Sequence, residues 1–329
     1  MFFKNYLLKL EGLNNQKNRE LICVYGCSQI VQLIYQDIKN NCKMETIKIV
    51  QKALNAPYIT FYCWISGKNP IPISKVYGLL RLWKKICYKT NEEVSDKFNE
   101  VYLHSSGFSQ NGQRKVALPK EMNESLGYLI GFFQGDGHLK KDNKQGFQEH
   151  SIYFYEADKR MLEEINDILY YEFNVRGRIY HQSNETGSWH TLRLSSKPVY
   201  LFFRYVLGLE AGRKTGYIKV PKLIKEANNI VQFAFIRGFF DAEGGVGETN
   251  KNPWLEIGQA SNNYPAEVLF WIRNKLVEQG IELTKPQKVT NQSFFRLRTS
   301  KRDTIKKFFS IISSSHPKKL NKFEGIVER

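Results

Sequence analysis

Two segments 107 residues apart constrain this chain more than anything else in it: LGYLIGFFQGDG at 126–137 and FAFIRGFFDAEGG at 233–245. In the first, Gly127, Gly131 and Gly135 recur at every fourth residue; in the second, Ala234, Gly238 and Ala242 do so at the same phase. Residues at i and i+4 share a helix face. A helix with three small residues on one face can take a neighbour almost backbone to backbone, and two such helices can take each other. Glycine inside a helix costs about 1 kcal/mol relative to alanine, so its repeated use points to a contact that needs it. Leu129, Phe132 and Phe133 in the first segment, and Phe235, Phe239 and Phe240 in the second, fall on the other faces and are expected to pack on each half's sheet. Gln134, Arg237 and Asp241 make both helices unlike membrane spans, and no apolar run in the chain reaches the roughly 18 residues a span needs.

Each stripe runs into an acid. Asp136 and Glu243 stand one residue beyond Gly135 and Ala242, at the carboxyl ends of the two helices. If the helices pair about a local dyad, the two carboxylates meet beside it. A helix carboxyl end disfavours an anion by about 0.3–1 kcal/mol, and two carboxylates brought together repel each other further. A divalent cation relieves both, and oxygen ligands with open positions suit Mg²⁺. The charge balance points to the partner: 49 Lys and Arg against 32 Asp and Glu give the 329-residue chain a formal charge of +17, which favours a polyanion. A metal flanked by a basic surface suggests phosphodiester hydrolysis, with the ion activating water and stabilising charge on the leaving oxygen.

The elements downstream of the two motifs also repeat, so the chain reads as α+β with a duplicated unit. The first half offers helices over 126–135, 158–173 and 198–207 and strands over 152–155, 177–181 and 190–194; the second offers helices over 231–242, 265–279 and 302–312 and strands over 254–259 and 294–298. Before them, a polar stretch from His104 has linker composition. The expected organisation is a small all-α N-terminal domain at 1–103, a linker at 104–117, and two subdomains at 118–226 and 227–329. The five cysteines lie in the first quarter, are odd in number and sit mostly among apolar residues, as expected of reduced thiols in an intracellular protein.

LIGFFQGDG (129–137) and IRGFFDAEG (236–244) resemble the two signature motifs of the LAGLIDADG homing endonucleases in their single-chain, two-motif form. The resemblance covers about 118–328. It implies two pseudosymmetric αββαββα subdomains whose saddle-shaped antiparallel sheets lie along the DNA major groove. It implies that Asp136 and Glu243 bind the metal, in company with Gly135 and Ala242, and that both DNA strands are cut to leave short 3′ overhangs. A basic residue near the active site corresponds to Lys214 in the first half and to Lys318 or Lys319 in the second, with Lys319 preferred. The family's polar residue near the end of the second strand has Glu156 and Ser261 as its nearest candidates, with Gln259 close by. Mg²⁺ is the expected ion; Mn²⁺ is expected to substitute for it and Ca²⁺ to bind without supporting cleavage. The partner is a long, partly pseudo-palindromic double-stranded DNA target, bound by a monomer.

Outward-facing basic residues fit that partner. Arg193 alternates with Leu192 and Leu194, and Arg296 and Arg298 alternate with Phe295 and Leu297, which puts these arginines on one face of their strands. Lys140, Lys141, Arg176 and Arg178 join them as candidate DNA contacts. The N-terminal region, at about 44–86, resembles a helix-turn-helix, with Ser74 starting its third helix and Tyr58, Thr60, Phe61 and Lys68 on or near the recognition helix. The alternatives are an intron RNA maturase, with intron RNA as partner, or a DNA-binding regulator that keeps the fold. An intein is not expected, because the chain opens at Met1 and closes on Val327-Glu328-Arg329 without a terminal His-Asn.

Overall fold

The computed structural model describes residues 22–42, 45–140, 150–185, 187–212, 218–261 and 263–328. They form two compact units. One comprises residues up to Glu121 with Phe173–Val175 and Ser196–Val206; the other comprises Met122–Glu172, Arg176–Ser195 and the residues from Leu207 on.

In the first unit the elements run β1 (Ile22–Tyr25), α1 (Ser28–Asn41), α2 (Thr46–Leu54), α3 (Tyr58–Ile65), β2 (Ile71–Pro72), α4 (Ile73–Ile86), α5 (Asn91–His104) and β3 (Gly107–Gln110). Ile30, Val31, Ile34 and Ile38 bury one face of α1, and Val76, Leu79, Leu80 and Trp83 one face of α4, at helical spacing. The turn between α2 and α3 is made by Asn55, whose φ of 45° is left-handed, and by Pro57, which fixes the first residue before α3. Thr90 and Glu93 close a reciprocal capping box at the start of α5.

Three expectations change here. The N-terminal unit is mainly helical, but it also contains an antiparallel sheet of order β2-β1-β3, which an all-α domain would not. The stretch expected to be a linker supplies β3, because Phe108 is fully buried and its neighbours' backbone pairs with β1, Val24 opposite Phe108. The third helix of the helix-turn-helix-like region begins at Ile73 and not at Ser74, since Ile71-Pro72 is held to β1 and delivers the chain directly into the helix. Phe61 is fully buried, so of the residues expected on the recognition helix it belongs to the core, while Tyr58 and Lys68 are exposed.

The second unit holds α6 (Glu124–Asp136), β4 (Gly137–Leu139), β5 (Ser151–Glu156), α7 (Lys159–Phe173), β6 (Arg178–Asn184) and β7 (Gly187–Ser195). After α8 (Lys197–Leu201) and its π-helical continuation Phe202–Val206, both grouped with the first unit, come α9 (Lys222–Lys225), α10 (Asn229–Glu243), β8 (Gly244–Thr249) and β9 (Asn252–Ala260). The chain ends with α11 (Glu267–Glu278), β10 (Gln287–Lys288), β11 (Phe294–Thr299), α12 (Arg302–Ile311) and α13 (Pro317–Val327). Each half therefore runs αββαββα. The sheet orders are β4-β5-β7-β6 and β8-β9-β11-β10, antiparallel throughout and equivalent position by position.

Alternation divides each sheet. Ile152 and Phe154 with Leu192 and Leu194 face the core in the first half, as do Leu255 and Ile257 with Phe295 and Leu297 in the second. Tyr153, Arg193, Arg296 and Arg298 lie on the opposite faces, as their alternation predicts.

Candidate active site at the paired helix ends

The motif helices start alike. Asn123 and Asn228 precede α6 and α10, and each side-chain oxygen accepts from the backbone N–H three residues on, at 2.9 Å from Leu126 and 3.1 Å from Val231. They then pack along the two stripes. A Cβ placed on Gly131 would collide with the carbonyl oxygen of Phe235 and come within 2.8 Å of the Phe239 nitrogen. A Cβ on Gly238 would collide with the Tyr128 carbonyl oxygen and come within 2.8 Å of the Phe132 nitrogen. The contact is thus main chain against main chain.

The seam continues to the helix ends. A Cβ on Gly135 would collide with the Ala242 methyl and lie 2.7 Å from Glu243 Cγ. Asp136 and Glu243 are the last residues of their helices. Lys319, near the start of α13, is set against the final turn of α10. Its ammonium donates to the carbonyl oxygens of Phe240 and Asp241 at 2.6 and 2.7 Å. Burial pulls this lysine down to about 8, against the carboxylates of Asp241, Glu156, Asp136 and Glu243, which pull it up. One half-buried cation therefore feels acids from both halves.

Asp241, two residues before Glu243, holds the segment that delivers Lys319. Its carboxylate accepts from Tyr128 Oη at 2.9 Å, from the Ser315 N–H at 2.8 Å, and from the Ser314 hydroxyl. Tyr128 comes from α6, so the carboxylate joins the two motif helices to the loop before α13. Burial raises the Asp241 pKa, opposed by these hydrogen bonds and by Lys319. His316 caps α13, accepting at Nδ1 from the Lys318 N–H at 3.2 Å. Burial, reinforced by Lys319, lowers its pKa. In the first half the equivalent of Asp241 is Gln134, whose Nε2 donates to the Lys219 carbonyl at 3.1 Å. Both position-six side chains thus tether the segment that follows their half's last strand.

Of the polar candidates, Glu156 lies in the electrostatic field of Lys319, and its Oε1 accepts from the N–H groups of Ala157 and Asp158 at 2.6 and 3.1 Å. Ser261 and Gln259 are buried, and Ser261 donates to the Tyr264 carbonyl. Lys214 and Lys141 lie outside the described residues. Sequence reasoning missed Tyr128 and Ser314. Neither carries a local signal, since both reach Asp241 from far along the chain.

The candidate DNA contacts divide. Arg178, Arg193, Tyr153 and His138 form one cross-strand row in the first sheet, with Arg193 5.9 Å from the Tyr153 ring centroid. Lys140 follows β4, its N–H bonded to the Ser151 carbonyl. Arg176 does not join them: its guanidinium turns to α7, pairing with Asp167 at 2.5 Å and lying 4.7 Å from the Tyr170 ring centroid. In the second sheet Arg296 pairs with Glu256 at 2.8 Å, and Arg298 lies 5.8 Å from the Trp254 ring centroid.

The profile of the LAGLIDADG-like domain matches this sequence twice, at residues 123–206 and 231–313. The chain belongs to the LAGLIDADG family. The two matches begin at or just after the capped starts of α6 and α10, so the repeat in the sequence, the repeat in the fold and the family's repeat coincide. Among relatives, homing endonuclease I-ApeI of Aeropyrum pernix is 24% identical over 212 residues, which is 61% of this chain and 87% of that protein. A glutamine–fructose-6-phosphate aminotransferase of Methanocaldococcus jannaschii is 25% identical over 249 residues, 75% of this chain and 21% of that protein. The chain spans only about a fifth of the length of such curated relatives, 14% for a replication factor C small subunit of the same organism. The crystal structure of I-DmoI in complex with DNA and Mn is similar at 27% identity and a TM-score of 0.44, over 59% of this chain and 99% of that one. Among the described residues, no helix is long and apolar enough to cross a membrane.

Proposed function

We propose that this LAGLIDADG chain is a site-specific endonuclease that hydrolyses one phosphodiester bond on each strand of double-stranded DNA. The observation that carries the reading is the meeting of the two small-residue stripes at their carboxyl ends, where Gly135 lies against Ala242 and Glu243 so that the two motif acids end adjoining helices, with the half-buried Lys319 docked on the last turn of α10.

The residues present suit divalent metal. Among the described residues no three His, Cys, Asp or Glu side chains form a ready cage. Two carboxylates at adjoining helix ends, with the terminal carbonyls of Gly135 and Ala242, make instead the sparse all-oxygen donor set that Mg²⁺ accepts when substrate phosphate and water complete its shell. Asp136 and Glu243 would hold such an ion, with Mn²⁺ as a substitute and Ca²⁺ as a binder that does not support cutting. The ion would lower the pKa of bound water and neutralise charge at the phosphate. Lys319 would balance negative charge that develops beside the second-half acid, and Lys214 would be its counterpart in the first half by sequence position. One chain supplies both halves, so the active form is a monomer, and the product carries short 3′ overhangs. The outer faces of the two sheets supply the contacts to a long, partly pseudo-palindromic target.

The test is cleavage of a plasmid library carrying candidate targets with Mg²⁺ present. Wild type gives linear product at its site, and Asp136→Asn and Glu243→Gln each abolish it while retaining binding in Ca²⁺. Undiminished cutting by both variants would refute the assignment.

A further inference from the structure

Gln182 on β6 and Trp189 on β7 are cross-strand partners, and Thr191 lies two residues along β7 on the same face. That face is the one opposite the core, shared with Tyr180, Arg178 and Arg193. Gln182 is exposed, whereas Thr191 is buried. Trp189 Nε1 and Thr191 Oγ1 both reach the Gln182 Oε1, at 2.9 and 2.8 Å.

The polarity of this amide is chemically determined. An indole N–H donates and never accepts, so the amide atom facing Trp189 is the oxygen. With that oxygen receiving two hydrogen bonds, the part of the side chain left to meet a partner is an NH₂ group with two donors. An unrestrained glutamine offers an acceptor and a donor side by side, which is the match for adenine N6 and N7. An amide restricted to donation matches an edge with two neighbouring acceptors. In the major groove that edge is guanine, through O6 and N7; thymine offers O4 alone.

We infer that Gln182 is a specificity-determining residue that selects guanine over adenine at one base pair of the half-site read by the first half, and that Trp189 and Thr191 impose this choice by holding its oxygen. The inference rests on the DNA endonuclease reading above. The second half builds its outer face differently: at the register positions of Trp189 and Thr191 stand Phe294, which has no N–H to donate, and Arg296, which pairs with Glu256. The guanine preference therefore has no pseudosymmetric copy, and it breaks the palindromy of the target at that position.

Randomised duplex sites are selected twice, for binding in Ca²⁺ and for cleavage in Mg²⁺, with wild type, Gln182→Ala, Gln182→Glu and the double variant Trp189→Phe/Thr191→Val. Wild type should prefer guanine over adenine roughly tenfold at one position, the discrimination typical of a good side-chain–base pair. Gln182→Ala should flatten that position alone. Gln182→Glu keeps one oxygen under the clamp and turns the other outward as an acceptor, so the preference should move to cytosine, whose N4 donates. The double variant releases the amide and should admit adenine at the same position. Melting temperatures like that of wild type show that the variants fold, and Gln182→Glu and Gln182→Ala test the claim without touching a buried residue. Identical profiles for wild type and the two Gln182 variants would overturn the inference while leaving the endonuclease intact. A wild type that selects no sequence in either arm would instead remove the reading on which it rests.

Discussion

The two halves of the second unit agree where they touch and diverge where they face outward. Along α6 and α10 the small residues meet main-chain atoms of the partner, and the same two peptide groups are opposed in each direction, Gly131 to Phe235 and Phe239, Gly238 to Tyr128 and Phe132. The outer sheet faces share only their order of strands. The first is lined with tyrosines, including Tyr153 and Tyr155 stacked at 6.3 Å, and with the Gln182 cluster. In the second, arginines are held by Glu256 and Trp254, and aromatic rings cover glycines. A backbone cannot move aside as a side chain can, so the central position of the seam admits only glycine in both halves, Gly131 and Gly238, while the positions on either side of it accept glycine in one half and alanine in the other. An outward face has no neighbour to exclude a change and is free to differ.

The sharpest way to break this contrast is Gly131→Val, which drives a branched side chain into the Phe235 carbonyl. It should cost about 3 kcal/mol or more, with no relief from repacking, read as a large fall in melting temperature. Tyr128→Phe tests the link that runs from the first motif helix to Asp241 in the second. Removing the hydroxyl deprives buried Asp241 of one of its donors and should cost about 1–3 kcal/mol in urea unfolding. Gly325→Ala is the control of opposite sign. This glycine of α13 has open space around it, and alanine there should stabilise by about 0.5–1 kcal/mol. The smallest effect is expected on the outer face. Glu256→Gln releases Arg296 from its ion pair and should leave stability within about 1 kcal/mol. It should also steepen the dependence of log affinity on log salt by about one unit, the signature of an added phosphate contact in DNA-binding titrations. Unchanged salt dependence would mean that Arg296 stays engaged elsewhere.

The same contrast explains what could be read from the amino acids alone. The period-four stripe announced the helix pair because steric exclusion leaves a fixed mark, and the alternation around Arg193, Arg296 and Arg298 gave the faces of their strands. β8 escaped notice, since GGVGET carries little strand propensity of its own and is held by pairing with β9. β3 was hidden in polar composition, with Phe108 its one large apolar residue. The acids and Lys319 are candidates by motif and position, but the links that fix Lys319 leave no mark in the sequence. Tyr128, Asp241 and Ser314 come together across separations of 113 and 73 residues, where no sequence pattern records a hydrogen bond. Arg176 has a partner that no sequence pattern announced: its guanidinium meets Asp167 and Tyr170 of α7.

A seam built of peptide groups also carries little information about which half it joins. Carbonyls and amides are the same in any chain, so a half from another chain with the same glycine phase meets the backbone part of the requirement, and the side-chain links left to match are Tyr128 to Asp241 and Glu124 to Arg237. Chimeras that splice one half of this protein to the opposite half of a homologue should therefore fold. Each donor would bring its own outer face, so the two binding faces of such a protein could be assembled by exchange and not by redesign.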